Sequence, residues 1–140
     1  MCSQSVWTLS RPVIARRRIW VAGFRIAFVA VTWLALTPEP PKAISGISDV
    51  LLHAIAFAVL TFLLAEAHFS QRLLWPMLLM ALYGPLIEVL QGAFFERAAE
   101  LKDFWVDLVG IAIGAGLFRL LGQEANTWLA RLPGVSDREN

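Results

Sequence analysis

Four apolar stretches, separated by short polar segments, dominate the pattern of the chain. They cover residues 19–36, 50–67, 73–94 and 104–121. Each is close to the ~20 residues that a helix needs to cross the hydrocarbon core of a bilayer. The first stretch ends before Pro38, Pro40 and Pro41, because proline cannot continue a helix. The pattern predicts an all-α fold, an integral membrane bundle of four transmembrane helices.

These stretches divide the chain into three parts. Residues 1–18 form a basic lead, residues 19–121 the transmembrane domain, and residues 122–140 a tail. The tail has apolar residues among polar ones, which predicts a short amphipathic helix along the cytoplasmic interface.

The basic lead and first apolar stretch also fit a cleaved signal peptide. The length of the stretch, Arg25 within it and the lack of a small-x-small cleavage site before Pro38 favour a retained first helix.

The distribution of Arg and Lys predicts that both termini are cytoplasmic. Short connections make neighbouring helices antiparallel, so the basic residues fall on two sides. The side of the termini carries Arg11, Arg16, Arg17, Arg18, Arg72, Arg119, Arg131 and Arg138, and the opposite side carries Lys42, Arg97 and Lys102. Because cytoplasmic loops are enriched in basic residues, the bundle is expected to be N-in/C-in.

Composition agrees with a membrane protein. The chain is 58% hydrophobic and 16% charged, with a mean hydropathy of +0.63, which leaves too little polar surface for a water-soluble domain. No basic run interleaved with aromatic residues indicates nucleic-acid binding. No cofactor or metal motif occurs, so we expect neither. The lone Cys2 cannot form an internal disulfide.

The first candidate site residues open the second stretch. Asp49 and His53 lie four positions apart, so they share one face of a helix. A carboxylate there can accept a hydrogen bond from the imidazole and fix its tautomer. Asp49 could equally cap the helix, and His53 could be a packing residue.

Glu88 and Gln91 lie near the end of the third stretch. An acid inside a spanning helix is unfavourable unless it is paired, protonated or hydrated, so such residues are candidates for function. A structural polar clamp between helices is the alternative. Pro85 is expected to kink the helix just before Glu88.

Asp103 and Asp107 repeat the four-residue spacing at the start of the fourth stretch. Asp103 could be a cap, whereas Asp107 lies a full turn inside the stretch. Arg97, in the preceding loop, could hold a phosphate or carboxylate. In an antiparallel bundle the six helical candidates meet in the outer leaflet, and Arg97 lies in a loop on the same side.

Other polar and small residues have simpler explanations. Glu66, His68 and Arg72 are expected at the opposite interface. Gly110 and Gly114 form a G-x-x-x-G pattern, which allows close helix approach and is better explained by packing within the bundle than by dimerisation.

The ordered candidates resemble the VanZ-like membrane protein family over roughly residues 45–118. The matching positions are Asp49-x-x-x-His53-x-x-x-Phe57, Gly84-x-x-x-Glu88-x-x-Gln91, Arg97, Asp103, Gly110 and Gly114. The chain departs from the family pattern at Val50, where Lys is usual, and at Asp107, where Asn is usual. The resemblance implies a multi-pass protein of the bacterial inner (plasma) membrane. The family is named for low-level resistance to the glycopeptide teicoplanin, but no reaction can be carried over from it.

Several functions fit these residues. The leading hypothesis is an outer-leaflet pocket that binds an envelope-related or lipid-linked anionic ligand. Membrane lipids are the other expected partners. A metal-assisted membrane-embedded enzyme, with His53, Glu88 and Asp107 as candidate catalytic residues, is a second. A structural or assembly subunit whose polar cluster only sets helix packing is a third. A proton or solute path is least favoured, because the inner halves of the last three helices are almost purely apolar. Oligomeric state stays open.

Overall fold

A computed structural model describes residues 11–37, 48–68, 72–95 and 101–131 of the chain. These residues form four helices and no strand. The helices are α1 (Arg11–Ala35), α2 (Asp49–His68), α3 (Leu74–Phe95) and α4 (Leu101–Ala130). The all-α prediction is therefore confirmed.

Each helix contains a segment long and apolar enough to cross a membrane. These segments are Arg16–Ala35, Asp49–His68, Leu74–Ala93 and Lys102–Gly122. Large apolar side chains such as Ile26, Leu82 and Leu120 are exposed on the outside of the bundle, where lipid rather than water would cover them. The prediction of a multi-pass membrane protein with four spanning helices is confirmed, while its orientation stays a prediction.

Helices α2 and α4 pack most closely, because glycine faces the neighbouring backbone. A Cβ added at Gly110 would lie 2.5 Å from the carbonyl oxygen of Ala54. A Cβ at Gly114 would collide with the carbonyl oxygen of Ala58, one turn further along α2. The G-x-x-x-G pattern therefore brings α4 against α2 within one chain, as predicted.

Helices α1 and α3 join this pair around an apolar core. Tyr83 of α3 packs against Phe57 of α2 and Phe28 of α1, with ring centroids 5.8 and 5.0 Å away. Its hydroxyl lies 2.8 Å from Thr32 Oγ1 of α1, so its polar atom has a partner inside the bundle. The buried residues of the core are Phe57, Leu60, Leu64, Met80, Tyr83, Ile87 and Ile111.

The first and last helices are longer than predicted. Helix α1 begins at Arg11. Pro12 lies in its first turn, where backbone N–H groups have no partner within the helix, so the missing N–H of proline costs no hydrogen bond. Helix α4 has 30 residues and is about 45 Å long at 1.5 Å per residue, longer than the hydrocarbon core. It therefore continues into the tail as far as Ala130, since no Gly or Pro interrupts the chain between Gly122 and Pro133. That the tail is amphipathic and lies along the cytoplasmic interface stays a prediction.

Candidate functional site

The predicted site residues lie at one end of the bundle, where α1 and α3 finish and α2 and α4 begin. We call this the polar end. Six of the seven candidates lie there, on α2 (Asp49, His53), α3 (Glu88, Gln91) and α4 (Asp103, Asp107). The seventh, Arg97, lies outside the described residues. The antiparallel order of the helices explains why positions far apart in sequence meet.

The centre of the polar end is a hydrogen bond between α2 and α4. His53 Nδ1 lies 2.9 Å from Asp107 Oδ1. A carboxylate oxygen accepts, so Nδ1 carries the hydrogen and Nε2 is the nitrogen left for another partner. From sequence, Asp49 was one possible partner for the imidazole and could equally be a cap; in the structure Asp107, on a different helix, accepts this hydrogen bond.

Asp107 is also in contact with α3. It is only 1% exposed, and a Cβ added at Gly84 would lie 2.6 Å from its Oδ2. Gly84 therefore leaves the space in which the Asp107 carboxyl group sits. One side chain of α4 thus meets both neighbouring helices, which fixes the position of His53.

Three side chains beside this pair could hold a cation. One ligand atom each of Asp49, His53 and Asp103 lie within 4.8 Å of one another. Asp49 is exposed, while His53 and Asp103 are half-buried. No sequence motif indicated this group, because its members come from two helices and are brought together only by their packing.

Several carboxyl oxygens at the polar end have no hydrogen-bond donor among the described residues. Glu88 Oε1, Asp103 Oδ1 and Asp107 Oδ2 are buried and have no hydrogen-bond partner within the described ranges. Buried ionisable groups of this kind are costly in a membrane unless a proton, a cation or water compensates them. The arrangement is thus suited to binding a positively charged group.

A cavity of about 300 Å³ lies next to the polar residues, between α1, α2 and α3. Asp49, His53 and Gln91 supply polar atoms to its wall, and most of the remaining wall is apolar. Ile55 and Val59, which also line it, are exposed on the lipid-facing surface of α2. The cavity therefore combines a polar part with an apolar part that borders the lipid.

Gln91 has a structural role within this arrangement. Its Nε2 donates to the carbonyl oxygen of Ala35, at 2.7 Å. Ala35 is the last residue of α1, and carbonyl groups at a helix C-terminus lack partners within the helix. Gln91 thus ties α3 to the end of α1 and closes one side of the cavity, so the clamp considered from sequence is present.

Other residues at or near the site were not found from sequence. Tyr83 and Thr37 line the cavity, but an aromatic residue and a threonine in apolar helices give no signal of their own. Away from the site, Glu66 lies near the opposite end of α2, as expected, but is buried, and a Cβ added at Gly122 would lie 2.6 Å from its Oε1. The close approach of α2 and α4 encloses it.

Comparison with known proteins agrees with the family resemblance of the sequence. The family model described as VanZ/LLP1 matches residues 19–122, a range that contains all four spanning segments apart from the first three residues of the first. No curated protein and no solved structure is significantly similar to the chain.

Proposed function

The chain belongs to the VanZ/LLP1 family, and from this and the geometry of the polar end we propose that it binds a lipid-linked anionic ligand in the outer leaflet. The cavity between α1, α2 and α3 carries the proposal. It joins the polar atoms of Asp49, His53 and Gln91 to an apolar wall that borders the lipid. A ligand with a polar headgroup and a hydrocarbon tail has the same two parts.

The hydrocarbon tail would enter sideways from the membrane. Ile55 and Val59 are exposed on the outside of α2 and also line the cavity, so a hydrocarbon tail would enter along this face of α2 without crossing water. The apolar wall continues inward through Val31 and Ile87. Pockets that bind amphiphilic ligands are commonly apolar, with a few polar groups that fix orientation.

The headgroup would lie at the polar end. The imidazole of His53 is held by Asp107, so its second nitrogen can interact with a ligand without a change of tautomer. Arg97, in the segment between α3 and α4, is the residue we assign to the anionic group, since a guanidinium binds phosphate or carboxylate with two hydrogen bonds. Glu88 and Asp49 would contribute hydrogen bonds or proton transfer.

A direct test measures binding of a polyprenyl phosphate and of the matching neutral polyprenol to the purified chain in nanodiscs. We expect the phosphate to bind more tightly than the alcohol. Arg97→Ala should remove most of this difference, whereas Arg119→Ala, which changes an exposed arginine on α4 far from the polar end, should not. Equal binding of both lipids, or equal effects of the two substitutions, would contradict the proposal.

A second pair of variants tests the cavity itself. Ala56→Phe places a ring in the cavity, whereas Ala112→Phe places the same ring on an exposed face of α4. The first should weaken lipid binding at least tenfold and the second should leave it unchanged, with thermal unfolding measured for both. If His53→Ala and Glu88→Ala instead reduce the amount of protein in the membrane, the polar cluster serves packing alone.

A further inference from the structure

We infer that Asp49, His53 and Asp103 bind a divalent cation of the Zn²⁺ or Mn²⁺ type at the polar end. The inference rests on the proposed function in one respect: the cation would link the protein to the phosphate headgroup of the proposed lipid. The starting observation is that one ligand atom from each residue lies within 4.8 Å of the others. Small rotations of the three side chains would bring these atoms to normal metal–ligand distances of about 2.0–2.2 Å from one ion.

The second observation is the position of Asp107, which is not one of the three. Its side chain is almost completely buried and accepts the Nδ1 hydrogen of His53. A histidine that binds a metal through one nitrogen almost always donates its other ring N–H to a carboxylate or carbonyl, which fixes the tautomer and raises the basicity of the ligand. Since Nδ1 hydrogen-bonds Asp107, Nε2 is the nitrogen that would bind the metal.

The charge balance also favours a cation. Asp103 Oδ1, Asp107 Oδ2 and Glu88 Oε1 are buried without hydrogen-bond partners among the described residues. An anionic headgroup that approached these carboxylates would be repelled by them. A divalent ion between carboxylates and phosphate reverses this repulsion, because it neutralises charge on both sides.

The ligand types indicate which ion fits. One imidazole nitrogen suits Zn²⁺ and other first-row transition metals, while carboxylate oxygens suit Mn²⁺ as well. Three protein ligands leave at least one coordination position open, as in metal sites that bind a substrate. That position would be filled by a phosphate oxygen of the lipid.

The test uses the full chain, purified in detergent, treated with chelator and titrated with Zn²⁺ or Mn²⁺ in the absence of lipid. We expect about one ion per chain by elemental analysis after desalting. His53→Ala and Asp103→Asn should each lower the affinity more than tenfold. Asp107→Ala should lower it by roughly 10–100-fold, as is typical for residues that orient a metal ligand, and Asp107→Asn by less.

Glu124→Gln, which changes an exposed carboxylate at the other end of α4, is the matched control and should bind like the wild type. Electron-spin-echo spectroscopy of bound Mn²⁺ should show coupling to an imidazole nitrogen, and His53→Ala should remove this signal. If the two samples have the same thermal stability, altered folding cannot explain the loss. Absence of a bound ion in the wild type, or affinities for His53→Ala and Asp103→Asn equal to that of Glu124→Gln, would overturn the inference.

The inference and the proposed function can fail separately. Unaltered polyprenyl phosphate binding by chelator-treated protein would refute the cation as the link to the phosphate while leaving the lipid pocket in place. Binding of the ion with no preference for phosphate over alcohol, in the presence of that ion, would support the metal site and refute the lipid-phosphate pocket.

Discussion

Asp107 links three helices through a single carboxyl group. It hydrogen-bonds His53 of α2 and fills the space left by Gly84 of α3. Its importance could be predicted from sequence, because an acid one turn inside an apolar helix cannot be a cap. The hydrogen-bond partner of Asp107 could not be predicted, since His53 is 54 positions away in sequence. Asp49, only four positions from His53, was the nearer candidate.

Substitution of Asp107 is therefore expected to depend on hydrogen-bonding capacity. Asp107→Ala leaves the buried N–H of His53 without an acceptor and should lower the free energy of unfolding by about 1–3 kcal/mol. Asp107→Asn keeps a carbonyl oxygen at that position and should cost clearly less. Thermal unfolding in one detergent compares the two, and equal losses would show that the hydrogen bond contributes little.

Among the helices, the contact between α2 and α4 was the most predictable. The spacing of Gly110 and Gly114 indicates a close approach, and the structure places both against the backbone of α2. Helix ends were less predictable. The apolar stretch ends near Leu121 but α4 runs to Ala130, because hydropathy marks the span that crosses the membrane and not the end of the helix.

Two glycines on α4 give a matched test of this contact. Gly114→Ala drives a Cβ into the carbonyl oxygen of Ala58, whereas a Cβ at Gly116 meets nothing within 4 Å. Gly114→Ala should destabilise the bundle by about 1–3 kcal/mol, and Gly116→Ala should leave it unchanged or slightly more stable, since alanine is the better helix former. Similar melting temperatures for the two variants would argue against the close α2–α4 packing.

For the whole molecule, the polar end and most of the described arginines lie at opposite ends of the bundle. Candidate ligands gather where α2 and α4 begin, while most arginines lie near the other end. The number and apolar character of the helices followed from the apolar pattern. The cavity did not, because it arises where α1, α2 and α3 meet, and lining residues such as Tyr83 and Ile87 give no signal within apolar stretches.

The predicted N-in/C-in orientation can be measured with single cysteines in a Cys2→Ser background. A membrane-impermeant maleimide added to intact cells should label Ser45→Cys, between α1 and α2. It should label Ser70→Cys and Ser136→Cys only after the membrane is opened, because the excess of Arg and Lys holds those segments in the cytoplasm. The reverse pattern would place the polar end in the cytoplasm and exclude an outer-leaflet ligand.

The central claim is that the cavity beside His53 holds an anionic lipid, and native mass spectrometry of protein extracted mildly from its own membrane tests it most directly. The wild-type chain should retain a bound lipid whose mass and charge identify a phosphate-bearing hydrocarbon. Ala56→Phe should lose this adduct and Ala112→Phe should keep it. A wild-type chain that carries no lipid, or the same bulk phospholipids as Ala56→Phe, would contradict the claim.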